Sequence, residues 1–346
     1  MFAIPRTGSV TFEMGVLPLL SGSNSFIMSV ITAAVFFGVT LVLVIKESKI
    51  TDIIGKFLTP IILIILAVIA VLGLTGDIGT PIDKTITAVF SKGFVEGYQT
   101  MDALASVLFG VVIVKGLEGK GIVTEKEQRY FLSGSALIAA AGLGLIYFSL
   151  MFLGAKVSGS ASQAFTTTSA ALYIAEVTLG SVGKIAFGIC VAAACLTTSV
   201  GLVAIASDWF SRLTPVSYKT WAVIISVFSG VMAVGGVDFI IKLSIPVLLI
   251  LYPVTIILIL LNIFGVSHVL VYRVATYTTL TVITLFVGAE TFKITPLYNV
   301  LLLIPFAEDG FVWVLPCILG MIIAFIIAPI RKAAKARLKA EKNKEN

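Results

Sequence analysis

Residues 94–114 read FVEGYQTMDALASVLFGVVIV. A membrane helix needs about 20 mostly apolar residues to cross the hydrocarbon, and this stretch has the length and the apolar second half. Its first half is unlike an ordinary span. Gly93 and Gly97 loosen the backbone, Glu96 and Asp102 are acids, and Tyr98, Gln99 and Thr100 add polar groups. An ionised carboxylate near mid-membrane costs at least about 2.5–3.5 kcal/mol on insertion scales. The segment therefore reads as a broken or kinked membrane helix lining a solute pathway, with the rest of the chain as its scaffold.

Composition supports a membrane setting. The 346 residues are 58% hydrophobic and 12% charged, against roughly 25% charged in soluble domains. This is an all-α polytopic membrane protein by composition. The net charge of +6 does not point to nucleic acid, because the basic residues sit in short loops and a tail. Cys190, Cys195 and Cys317 lie in apolar runs without CxxC spacing, and His268 is the sole histidine. Neither a zinc site nor a histidine-based catalytic triad can be assembled from these residues. No phosphate-binding GxxxxGK[ST] loop occurs, so the sequence does not read as an enzyme.

Outward from residues 94–114, spans are expected at about 26–45, 57–74, 130–153, 185–206, 220–234, 243–264, 274–287 and 311–330. With 94–114 they make nine, preceded by a half-helix at 1–20. All belong to one transmembrane domain, 1–330, followed by a basic tail, 331–346. Alternating the loops places 17 of the 24 Lys and Arg residues on the side of the tail and seven opposite. That bias puts the C-terminus in the cytoplasm. Trp209, Trp221 and Trp313 fall near span ends, where aromatic rings sit among headgroups. The long connection 155–184 begins with small polar residues. It continues as ALYIAEVTLG, which can form a short helix acting as a lid or as a passive loop.

Asp102 admits a functional reading, as a coupling-ion or proton carrier, and a structural one, as an acid bonded to backbone amides at the break. Glu96 lies nearer the outer interface. Gly97, Tyr98, Thr100, Met101 and Ala103 surround the break, and unwound membrane backbone must line a cavity or be buried in protein. Half-helix N-termini there receive carboxylates, while freed carbonyls coordinate Na⁺. Thr197-Thr198-Ser199 offers hydroxyl ligands for a cation, although such hydroxyls also bond back to carbonyls of their own helix. Arg6 and Glu13, seven residues apart, fall on one helix side. Asp208 marks a span end, and Pro246 and Pro253 introduce kinks in the 243–264 span.

Several stretches resemble the bacterial branched-chain amino acid transport system II carrier family, the cation-coupled leucine, isoleucine and valine symporters. FAIPRTGSVTFEMGVLPLL is similar to the later half of that family's third membrane helix, EGYQTMDALASVLFG to its sixth, ACLTTSVGLVAIASDWF to its eighth and SIPVLLILYP to its tenth. LIPFAEDGFVWVLP resembles the entry to its last helix. The resemblance implies a leucine-transporter-like fold of two inverted five-helix repeats plus two further helices. On that map the chain lacks the first two helices and part of the third, and is expected to be an N-terminally truncated carrier.

The implied function is secondary active import of branched-chain amino acids coupled to Na⁺ or H⁺ across a bacterial cytoplasmic membrane. The implied substrate and pathway residues are Gly97, Tyr98, Thr100, Met101 and Asp102. The implied cation-binding residues are Thr197 and Thr198. No cofactor beyond the coupling ion, and no nucleic acid, is expected; the lipid bilayer is the surrounding partner, and oligomeric state is left open. The alternative is a transport-inactive membrane fragment of such a carrier.

Overall fold

In hydrocarbon no water is available to pair with peptide groups, so a chain this apolar must close its hydrogen bonds within helices. The computed structural model describes residues 2–20, 25–46, 49–82, 87–159, 168–266 and 268–328. Among them every regular element is helical. The tail 331–346 and the polar start of the 155–184 connection, at 160–167, lie outside the described residues.

The first helix, α1 (Ala3–Val10), continues through a π-helical turn (Thr11–Val16) and a short 3₁₀ turn (Leu17–Leu19). Next come α2 (Ser25–Ile45), α3 (Lys49–Thr75) and α4 (Val89–Glu96), which runs into a 3₁₀ turn (Gly97–Thr100). The chain continues with α5 (Asp102–Gly119), α6 (Glu125–Val157), α7 (Ser169–Leu213), α8 (Tyr218–Ala233) and α9 (Val237–Ile263). It ends with α10 (Val269–Thr291), α11 (Thr295–Leu302) and α12 (Val314–Ala328). Among the described residues, five of these, α2, α6, α7, α9 and α10, are long and apolar enough to cross a membrane, and α4–α5 makes a sixth if taken as one bent span. Shorter apolar helices occupy Thr59–Thr75, Tyr218–Ala233 and Val314–Ala328. The helix at 274–287 extends well past the apolar run, because Arg273 and Glu290 interrupt hydropathy without interrupting the backbone ladder.

The chain divides into two compact units, residues 1–84 with 111–242 and residues 85–110 with 243–346. In the first unit α1 and its π-helical turn are held against α7 by glycines. A Cβ on Gly188 would collide with the Met14 carbonyl, and one on Gly15 would lie 3.3 Å from the Gly188 carbonyl. Small residues at such crossings let membrane helices approach to backbone contact. Ile4, Phe36, Phe37, Val200, Val203, Ala222 and Ile225 pack one side of this unit. α7 is interrupted at Gly180 (φ +71°, ψ −171°). This glycine closes the ALYIAEVTLG helix read from the sequence. That arm buries Leu172, Ile174 and Ala175 against Ile78, Leu153, Val157 and Phe187.

The end of α3 leaves carbonyls that its own helix cannot satisfy. Lys156, in the last turn of α6, donates from Nζ to the carbonyl oxygens of Gly73 (3.2 Å), Leu74 (3.2 Å) and Gly76 (2.9 Å). A cation at a helix C-terminus also complements the macrodipole. In the second unit α9, α10 and the start of α12 close around Ile257, Val271, Ala275, Ile283, Trp313 and Cys317. The loop before α12 seats on α4 through Ser91 Oγ, which donates to Asp309 Oδ1 at 3.1 Å.

Two substitutions test this packing by thermal unfolding of the detergent-solubilised protein. Lys156→Met is expected to remove about 1–3 kcal/mol by stranding carbonyls, with Lys156→Arg losing less; an unchanged midpoint in Lys156→Met would rule out the cap. Gly188→Val is expected to cost about 1–3 kcal/mol through overpacking against Met14, and a wild-type midpoint there would mean that the crossing is looser than described.

Candidate functional site

The break expected near residues 97–103 is present, and its geometry is specific. α4 tightens into the 3₁₀ turn at Gly97, and Met101 then takes a left-handed backbone (φ +60°) before α5 begins at Asp102. The two arms meet at 45°. Gly97 itself remains in the right-handed helical region, at φ −57°, so the reversal falls on Met101 and not on a glycine. A non-glycine residue held left-handed costs of order 1–3 kcal/mol and persists where surroundings enforce it.

Some of the peptide groups at the break, and the Thr100 hydroxyl, are paired locally. Met101 N–H donates to the Tyr98 carbonyl (3.2 Å) and Ala105 N–H to the Met101 carbonyl (2.9 Å). Thr100 Oγ1 donates to the Gly97 carbonyl at 2.9 Å. Asp102 is the first residue of α5, where a carboxylate faces the positive end of the helix dipole. That position accounts for an acid at this depth without excluding a role for it with a ligand.

Tyr98 is the buried residue of the break. It is 4% exposed, its ring stacks on Tyr252 (centroids 4.5 Å apart, 16° between planes), and Phe94 meets it edge-on at 5.7 Å. Leu248 and Tyr252 of α9 complete the buried cluster, with Met101, Ala103 and Leu104 packed against it. Tyr98 Oη is buried and has no hydrogen-bond partner among the described residues. Buried hydroxyls are usually paired, so this one marks a place where a ligand's polar atom or a water would be welcome. Reading the sequence does not find Tyr252; its one visible trace is a lone tyrosine before Pro253 in an aliphatic run. α9 is a single helix through both Pro246 and Pro253.

Thr197 and Thr198 lie on α7 in the other unit. Both hydroxyls donate to one carbonyl, that of Ala194, at 2.9 Å. Their neighbour Ser199 is fully buried, and its Oγ has no partner among the described residues. The structure thus brings Gly97, Tyr98, Thr100, Met101 and Asp102 together around the break and places the hydroxyl run in the first unit. Among the described residues no group of three His, Cys, Asp or Glu side chains is arranged to hold a metal. Glu13, paired with Arg6 only by helix position in the sequence, accepts hydrogen bonds from Thr168 Oγ1 (2.7 Å) and Val237 N–H (2.8 Å).

A family model described as branched-chain amino acid transport protein matches residues 1–331. The chain is 38% identical to the branched-chain amino acid permease BrnQ of Bacillus subtilis, an alignment covering 95% of this chain and 77% of the relative. It is 36% identical to the branched-chain amino acid permease BraB of the same organism, over 94% of this chain and 76% of that one. It is 34% identical to the branched-chain amino acid transport system 2 carrier protein of Pseudomonas aeruginosa, again over 94% and 76%. No solved structure matches the chain. With its family model covering nearly the whole length, the chain belongs to the branched-chain amino acid transport protein family.

Proposed function

We propose that this chain imports leucine, isoleucine and valine by secondary active transport, coupled to Na⁺ or H⁺. The observation that carries the reading is the half-buried break at Met101, beside the buried Tyr98 hydroxyl that has no partner among the described residues, with Asp102 opening the next half-helix. A branched aliphatic side chain needs apolar surroundings, and Leu248 with the Tyr98–Tyr252 stack supplies them. The polar end of an amino acid needs paired donors and acceptors, which a broken helix provides through its backbone termini. In this reading Gly97, Tyr98, Thr100, Met101 and Asp102 form the substrate pathway, and Thr197 and Thr198 serve the cation.

The same reading includes a leucine-transporter-like inverted-repeat architecture, rocking access around a midplane site, and a cytoplasmic C-terminus in the bacterial cell membrane. The charge bias of the loops supports that orientation. A transport-inactive fragment is the less favoured alternative, because the relatives align along 94–95% of this chain.

Labelled leucine uptake should be measured in cells lacking their own branched-chain carriers, with Na⁺ and with K⁺ in its place. Na⁺-dependent accumulation is expected for Na⁺ coupling, and accumulation indifferent to Na⁺ but driven by a pH gradient for H⁺ coupling. No accumulation in either case, with the protein present in the membrane, would leave the inactive-fragment reading. Tyr98→Phe keeps the ring stack and removes the hydroxyl; it is expected to raise KM about fivefold to tenfold, the effect of one lost hydrogen bond. Asp102→Asn is expected to change the ion dependence of uptake, and unaltered ion dependence would remove Asp102 from coupling.

A further inference from the structure

The α8–α9 turn is gripped from both sides by the first helix. α8 ends at Ala233 and α9 begins at Val237, joined by Val234, Gly235 and Gly236, the last at φ +84°. Ser9 Oγ donates to the Ala233 carbonyl at 2.7 Å, holding the outgoing end of α8. Glu13 Oε1 accepts from Val237 N–H at 2.8 Å, holding the incoming end of α9. Its other oxygen, Oε2, accepts from Thr168 Oγ1 at 2.7 Å, at the start of α7. Ser9, Thr168 and Val237 are all buried.

One carboxylate therefore ties three chain segments together. The bond to Val237 is charge-assisted, and such bonds are roughly twice as strong as neutral ones. It satisfies one of the orphan donors of α9 and sets a negative charge at the positive end of that helix. Glu13 sits in the π-helical turn Thr11–Val16, and single π turns in α-helices frequently occur at functional positions. The far part of α9 carries Leu248 and Tyr252, the residues that pack on Tyr98.

We propose that Glu13 is a positioning residue: with Ser9 it clamps the Gly235–Gly236 turn and fixes the start of α9, and α9 in turn holds Tyr252 in register on Tyr98. The effect on uptake rests on the transport reading above; the clamp itself does not. Hydrogen–deuterium exchange of the full chain in lipid nanodiscs tests the clamp without substrate. Glu13→Ala is expected to speed exchange in residues 234–240 about tenfold, the loss of roughly one charge-assisted hydrogen bond, with a further rise in residues 97–103 and 248–256. Glu13→Gln keeps an acceptor for Val237 N–H but removes the charge, and should give a smaller rise than Glu13→Ala. If Glu13→Ala does not fold, Thr168→Val, which leaves the carboxylate in place, should give a smaller rise in the same regions. Unchanged exchange at 234–240, or a rise confined to it, overturns the proposal. Where the wild-type protein takes up leucine, Glu13→Ala should raise KM about tenfold and Glu13→Gln by less, and an unmoved KM in Glu13→Ala also overturns the proposal. Wild-type protein with the clamp intact and no uptake would count against the transport reading alone.

Discussion

A peptide group that leaves the helical ladder inside a bilayer has no water to replace its lost partner. This constraint organises the molecule. At the end of α3, Lys156 supplies donors to three exposed carbonyls. At the α8–α9 turn, Ser9 takes a carbonyl and Glu13 takes an amide. At Met101, the 3₁₀ turn and the Thr100 hydroxyl pair the backbone within a few residues. At these three interruptions a named polar group meets the backbone where the helix stops supplying partners.

The helices were legible because hydropathy and membrane length speak for each segment independently. Residue-scale geometry was legible only where it is local. The break near Asp102 is announced by acids, glycines and hydroxyls packed into one apolar run. Its hinge was not: Gly93 and Gly97, the conformationally free residues there, stay helical, and Met101 takes the left-handed conformation between the stacked aromatic cluster and the start of α5. Tyr252 was hidden for a different reason. It lies more than 150 residues from Tyr98 in sequence, and nothing in an aliphatic run says which tyrosine it will meet. Thr197 and Thr198 illustrate the converse. Their shared bond to the Ala194 carbonyl is the ordinary local behaviour of helical hydroxyls, whereas buried Ser199, whose hydroxyl has no partner among the described residues, is the less ordinary member of the run.

Asp102 and Glu13 show how an apolar bundle can keep carboxylates. Each stands at the start of a helix, Asp102 at the start of its own (α5) and Glu13 at the start of another (α9). The helix dipole and the free N–H groups of a first turn stabilise negative charge, which offsets part of the cost of bringing an acid into the membrane. The two placements differ in consequence. An acid at the start of its own helix moves with that helix, and its electrostatic role is the same in any orientation of the segment. An acid on one helix that caps another holds only while the two remain in contact, so its bond registers their relative position. In the reading proposed above, Asp102 is thus placed to meet a ligand at the break, and Glu13 to hold the start of α9.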